Sequence, residues 1–322
     1  MSRVLSGIQP SGTLHIGNYF GMMNQMISLQ DSNELYCFIV NYHALTSLQN
    51  PKELSTNTLN AAMDFLSLGL NPDKCFFWVQ SDIPEVQELS WILACHTAMG
   101  FMDRSHSYKD KIAKGIIPNI GLFTYPVLMA ADILLFQSEI VPVGKDQKQH
   151  LEITRDIAQH FNNIYGETFV IPEAKIEKEI AVIPGIDGQK MSKSYGNTIG
   201  IFEEEKALRK KVMSIKTDST PVELPKDPDT CNVFALHKLF SSEQQSSDLR
   251  NRYLSGGLGY GTAKSELFEL VRDHFKPYKE KRNEMAGNPD SVRKILKNGA
   301  EKTREKAMIT MKLVRDRVGI NY

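Results

Sequence analysis

Long hydrophobic runs are missing from this chain. No stretch approaches the roughly 18 to 20 uninterrupted apolar residues that cross a bilayer, and the N-terminus has no basic, apolar, small-residue progression. The expectation is a cytoplasmic protein with no membrane partner. Cysteine is scarce: Cys37, Cys75, Cys95 and Cys231 lie far apart in apolar surroundings, which argues against a disulfide framework or a zinc motif. Net charge is also lacking, with 38 Lys+Arg against 38 Asp+Glu. The balance hides an asymmetry: residues 1–200 carry 14 cationic against 20 acidic residues, and residues 201–322 carry 24 against 18. A basic C-terminal third suits a nucleic-acid partner, although an imbalance this small more commonly marks a solvated helical surface. There is no internal repeat and no long low-complexity tract, although Ser241–Ser247 is locally polar.

What is present is apolar material enough for one large or two moderate domains, 41% of 322 residues. Arg3–Ile8 reads as a strand, followed by a loop with Pro10, Gly12 and Gly17 and an apolar-periodic run through Phe20, Met23, Met26 and Ile27. Further strands are predicted at Leu35–Val40, Cys75–Val79 and Ile140–Val143, and helices at about 52–68, 122–136 and 146–161. Strands alternating with crossover helices imply a doubly wound parallel sheet. Residues 84–120 interrupt that alternation as a helical insertion with a basic tail at Arg104, His106, Lys109, Lys111 and Lys114. Beyond residue 200 strand signals mostly vanish, and helices are predicted at 203–213, 231–240, 262–283 and 291–318. The expected organisation is therefore an α/β domain over 1–200 and an all-helical domain over 201–322.

Two short segments carry chemistry. In Gln9-Pro10-Ser11-Gly12-Thr13-Leu14-His15-Ile16-Gly17-Asn18, glycines let backbone approach a ligand, and the following helix offers unpaired N–H groups to an anion. Such a turn at the carboxyl end of a first strand can seat a nucleotide, with His15 and Asn18 as neutral donors; it serves as often as a plain tight turn. The second segment, Lys190-Met191-Ser192-Lys193-Ser194, is flanked by Gly188 and Gly196. Two cations and two hydroxyls on such a loop can close over a polyphosphate and neutralise a departing pyrophosphate. Alone it reads as a solvated loop. The two occur in this order with about 170 residues between them, and that pairing is rarely accidental.

With these residues in view, the chain resembles the class I aminoacyl-tRNA synthetases. The first segment matches their HIGH signature and the second their KMSKS signature. The runs SGIQPSGTLHIGNYFG from Ser6, LFTYPVLMAADILLF from Leu122 and IVPVGKDQKQH from Ile140 resemble the bacterial tryptophanyl branch over most of the first 200 residues. Three departures are visible. Asn18 replaces the last histidine of HIGH, as is usual in that branch, Leu5 is smaller than the aromatic residue of some relatives, and the spacer Ile183–Gln189 varies among them.

The resemblance implies site roles. Asp132, a carboxylate within an apolar run, would accept the indole N–H, with Leu5, Gly7, Met129, Val141 and Val143 around the ring. Spacing alone favours a structural partner for Asp132, such as a histidine or tyrosine, and only the resemblance points to the indole. Tyr125, Gln147 and His43 resemble the residues that hold the amino acid's ammonium and carboxylate. Gln9, Pro10, Ser11, His15, Gly17, Asn18, Gly144, Lys145, Asp146, Ile183, Met191, Ser192 and Ser194 would hold ATP, with Lys190, Lys193 and Lys111 on the phosphates. Magnesium is expected through the phosphates, with no protein ligand set. L-tryptophan, tRNA(Trp) and a second copy of the chain, joined through the inserted helices, are the implied partners, and DNA is not. The rivals are a tyrosyl-tRNA synthetase, a nucleotidylyltransferase and a synthetase-derived RNA-binding protein.

Overall fold

The computed structural model describes residues 1–10, 12–102, 119–144, 147–176 and 183–322. Its sheet has five strands: β1 (Arg3–Ile8), β2 (Glu34–Ile39), β3 (Cys75–Val79), β4 (Ile140–Val143) and β5 (Glu173–Ile176). They pair in the order β3-β2-β1-β4-β5, every pair parallel. The first four lie where the apolar runs put them. Unforeseen was β5, whose short run EAKI is half charged and carries little strand signal.

Parallel neighbours need long crossovers, and helices supply them. They are α1 (Pro51–Ser67), α2 (Glu85–Cys95), α3 (Ile120–Leu135) and α4 (Lys148–Tyr165). α1 starts where Asn50 accepts the Lys52 and Glu53 N–H groups and Pro51 takes the first helical position. α2 and a short turn at Met99–Met102 lie in the range expected for the insertion. The strand order reverses between β1 and β4, and open sheets of this type take ligands at the carboxyl ends beside that reversal.

The remaining long helices are α5 (Glu205–Met213), α6 (Asn232–Phe240), α7 (Glu243–Ser255), α8 (Tyr260–Gly287) and α9 (Pro289–Val318). The locally polar run at 241–247 contains the start of α7: Ser242 and Gln245 form a reciprocal capping box there. Backbone contacts divide the chain otherwise than at residue 200. One compact unit comprises Met1–Gly12, Met26–Lys178 and Met285–Tyr322; the other comprises Thr13–Gln25 and Glu179–Glu284.

The first unit includes α9 because α9 lies directly on β3. A Cβ on Gly299 would fall 1.9 Å from the Phe77 carbonyl oxygen, so only glycine permits this approach. Ala300, Ala307, Met311 and Val314 of α9 are buried in the same core as Trp78, Tyr36 and Phe136. Arg304 pairs with Glu85 at 2.8 Å and Arg315 with Glu88, tying α9 to α2. Within the sheet, Trp78 stacks on Phe38 at 5.0 Å and Tyr36 on Phe76 at 4.5 Å.

The second unit has its own core, including Leu208, Val233, Leu249, Tyr253, Leu267 and Val271. The buried Lys226 ammonium donates to the carbonyls of Pro221, Val222 and Leu224, which satisfies its charge and pins that loop. No helix among the described residues is long and apolar enough to cross a membrane.

Candidate active site

In the first unit, the carboxyl ends of β2 and β3 lead into two short turns, Asn41–Ala44 and Gln80–Asp82. Three hydrogen bonds lock them: Tyr42 N–H to Gln80 Oε1 (3.0 Å), Asn41 Nδ2 to Ser81 Oγ (2.8 Å), and Ser81 N–H to Asn41 Oδ1 (3.1 Å). These turns hold two donors for Asp132, which projects from α3 and is only 2% exposed. Gln80 Nε2 donates to both carboxylate oxygens, at 2.9 and 2.8 Å, and His43 Nε2 donates to Oδ2 at 2.9 Å. Burial pushes the Asp132 carboxyl above the usual carboxylate range, and the bonds from His43 and Gln80 pull against that.

Apolar walls belong to the same unit. Leu5, Val141 and Val143 are buried in one cluster with the α3 residues on either side of Asp132, and Met129 packs against it. At Gly7 an added Cβ would meet Val40 Cγ1 at 2.8 Å, so a side chain there would collide with the chain leaving β2. Tyr125 Oη is hydrogen-bonded to His150 Nε2, and His150 Nδ1–H donates to Gln147 Oε1 at 2.8 Å.

The second unit carries the His15–Asn18 part of the first signature segment and the whole of the second. His15 caps the helical turn Ile16–Asn18: the Asn18 N–H donates to His15 Nδ1 (3.3 Å), and the His15 N–H donates to Asn18 Oδ1 (3.2 Å). Burial, assisted by the Lys193 charge, lowers the His15 pKa to about 4. At neutral pH the ring is uncharged, with Nδ1 accepting, so Nε2–H is a neutral donor. The next residues, Tyr19–Met23, form a π-helical turn, a geometry that recurs at functional sites.

Gly17 N–H reaches Met191 Sδ at 3.4 Å, and a Cβ on Gly17 would crowd His15 Nδ1 at 2.9 Å. The two signatures therefore touch within one unit. Met191 is buried, and its N–H donates to the Ile183 carbonyl at 2.8 Å. Asn197, 2% exposed, holds the loop from inside. It donates to Asp187 Oδ1 (2.8 Å) and the Lys190 carbonyl (3.1 Å), and accepts the Ser192 N–H (2.8 Å). Ser194 N–H donates to Ser192 Oγ at 3.3 Å, while the Lys190 and Lys193 side chains are exposed. A rigid base thus presents two solvated cations, as charge stabilisation of a polyphosphate requires.

Comparison with known proteins agrees with this geometry. The family model described as tRNA synthetases class I (W and Y) matches residues 1–276. The chain belongs to that family. Among curated relatives of this synthetase, a tryptophan–tRNA ligase of Campylobacter jejuni is 54% identical over 99% of this chain and 100% of its own length. One of Fusobacterium nucleatum is 52% identical over 99% and 98%. A crystal structure of tryptophanyl-tRNA synthetase from Campylobacter jejuni, complexed with ADP and tryptophan, superposes with a TM-score of 0.96 at 54% identity, covering 98% of this chain and 99% of that one.

Of the residues expected in this class I synthetase's site, Leu5, Gly7, Gln9, Pro10, His43, Tyr125, Met129, Asp132, Val141, Val143, Gly144 and Gln147 lie in the first unit. His15, Gly17, Asn18, Ile183, Lys190, Met191, Ser192, Lys193 and Ser194 lie in the second. Ser11, Lys111, Lys145 and Asp146 fall outside the described residues. His43 differs from its expected role in one respect: its Nε2 is engaged by Asp132, so the structural partner that spacing allowed for Asp132 is present. Three residues were missed. Gln80 follows β3 as His43 follows β2, so the carboxyl-end rule points to it; His150 and Asn197 carry no signal beyond being polar residues later found buried.

Proposed function

We propose that this synthetase joins L-tryptophan to tRNA(Trp) in two steps, activation by ATP and transfer to the 3′-terminal adenosine. The observation that carries the amino-acid assignment is Asp132, a buried carboxylate among apolar walls whose protein partners Gln80 and His43 both donate to it. An indole ring has one donor and no acceptor, which such a carboxylate matches. A phenylalanine ring would leave the remaining acceptor capacity unpaired. A phenol hydroxyl could also donate, and against tyrosine stand the names of the full-length relatives.

Activation needs no general base, because the amino acid's carboxylate is ionised at neutral pH. Its oxygen attacks the α-phosphorus in line; a carboxyl O–P bond forms, the bond to the bridging oxygen of the β-phosphate breaks, and pyrophosphate leaves with the electron pair. Lys190 and Lys193, with Lys111, stabilise that leaving charge. The family resemblance assigns nucleotide binding to Gln9, Gly17, Asn18 and the neutral His15 donor, and to Gly144, Lys145 and Asp146. The loop offers ammoniums and hydroxyls, a donor set that suits phosphates; magnesium bound to those phosphates would screen their charge. In the second step the terminal 2′-hydroxyl attacks the mixed-anhydride carbonyl carbon; the ester C–O bond forms, the anhydride C–O bond breaks, AMP leaves with the electron pair, and the hydroxyl proton passes to the released phosphate or to water.

The basic helical segment after residue 200 is proposed to contact the tRNA, within a homodimer acting in the cytoplasm. The test is aminoacylation of tRNA(Trp) by the full chain. Charging with tryptophan and not tyrosine is expected; charging with tyrosine, or none, would overturn the reading.

A further inference from the structure

Asp132 has more partners than a ring N–H requires, and one of them is itself held by the backbone. The Tyr42 N–H can only donate, so the Gln80 amide must turn its oxygen toward it, at 3.0 Å. That fixes the orientation of the amide: its NH₂ faces Asp132 and bridges both carboxylate oxygens from one nitrogen. Among the described residues, Oδ2 receives Gln80 and His43, which fills its two lone-pair directions, and Oδ1 receives Gln80.

We propose that Gln80, anchored on the Tyr42 backbone, is a specificity-positioning residue that keeps Asp132 an acceptor-only carboxylate and leaves one lone pair of Oδ1 for the ring N–H of the amino acid. This rests on the tryptophan reading above and adds to it the residue and the oxygen atom that enforce the choice. Gln80 is 0% exposed, and its amide bonds to the Tyr42 N–H through Oε1 and to Asp132 through Nε2, so it acts through the carboxylate and not as a pocket wall. His43 rides on the same short turn as Tyr42, so one element, Asn41–Ala44, holds both partners of Asp132: His43 directly and Gln80 through the Tyr42 N–H. Protonation or rotation of Asp132 would convert its free oxygen into a donor or aim it away, and a ring donor would then gain nothing over a ring without one. Burial favours that loss, and Gln80 opposes it.

The test compares two substrates of the full chain in amino-acid-dependent pyrophosphate exchange: L-tryptophan, and its benzothiophene analogue, in which sulfur replaces the ring N–H. Wild type, Gln80→Met and Gln80→Glu are measured side by side. Gln80→Met removes the donor at similar size; Gln80→Glu keeps the acceptor for Tyr42 and removes the amide donor. Both variants are expected to lower the ratio of kcat/KM for tryptophan over the analogue by about ten- to a hundredfold, mainly through KM for tryptophan, with the analogue nearly unchanged. A role confined to folding would lower both substrates alike and leave the ratio where it was. An unchanged ratio in both variants, with wild type preferring tryptophan, overturns the role of Gln80. Wild type giving no tryptophan-dependent exchange would instead overturn the tryptophan reading on which it rests.

Discussion

At the scale of single residues, the site works by fixing the charge state of a few buried groups. Asp132→Ala removes the carboxylate and leaves two donors, Gln80 Nε2 and His43 Nε2, facing a hole. It should lower kcat/KM for tryptophan by about a hundredfold or more and flatten selectivity against phenylalanine, read in exchange assays with each amino acid. Lys193→Ala acts on the leaving charge: activation should slow by about two orders of magnitude, with tryptophan affinity measured by calorimetry nearly unchanged. His15 gives a pH signature. Its folded-state pKa of about 4 lies below the ordinary 6.5, so between those values the unfolded chain binds a proton that the folded chain does not. Stability should therefore be full above pH 6.5 and decline as pH falls toward 4. Denaturant titrations at pH 5 and pH 7 should show a smaller difference for His15→Asn than for wild type; an equal difference would mean that the ring is not held neutral. Most of these residues were legible because they sit in compact signatures whose chemistry is local. Gln80, His150 and Asn197 were not, because their roles come from partners 52, 25 and 10 residues away.

Elements repeat the lesson with a different cause. Strands β1 to β4 were legible because each is a dense apolar run bounded by turn residues, and α1 as the helical pattern at about 52–68 between two of them. β5 was not, since a four-residue edge strand with half its residues charged takes its structure from pairing with β4. α7 was hidden by its own serine-rich cap. The placement of α9 on β3 depends on one small residue: Gly299→Ala would put a methyl group 1.9 Å from the Phe77 carbonyl oxygen. The backbone contact has to open, at a cost of at least about 1–3 kcal/mol. A clear drop in the thermal midpoint is expected, and an unchanged midpoint would show that α9 does not approach the strand so closely.

For the whole molecule, chain order and spatial order part company. The last helix completes the unit that the first strand begins, and the His15–Asn18 turn belongs with the second signature, about 170 residues later. Periodicity marks where helices are and is silent about which sheet face a terminal helix covers, so the boundary at residue 200 followed the end of strand signal and not the contacts. A chain ending at residue 284 would lose the helix that buries β3 and should fail to give a cooperative melt. The constellations built on Asp132 and on the lysine loop should serve the activation of one amino acid. Amino-acid-dependent exchange of pyrophosphate into ATP, measured across the twenty amino acids without tRNA, reads that property. Exchange is expected with tryptophan alone; exchange driven by tyrosine, or by no amino acid at all, would overturn it.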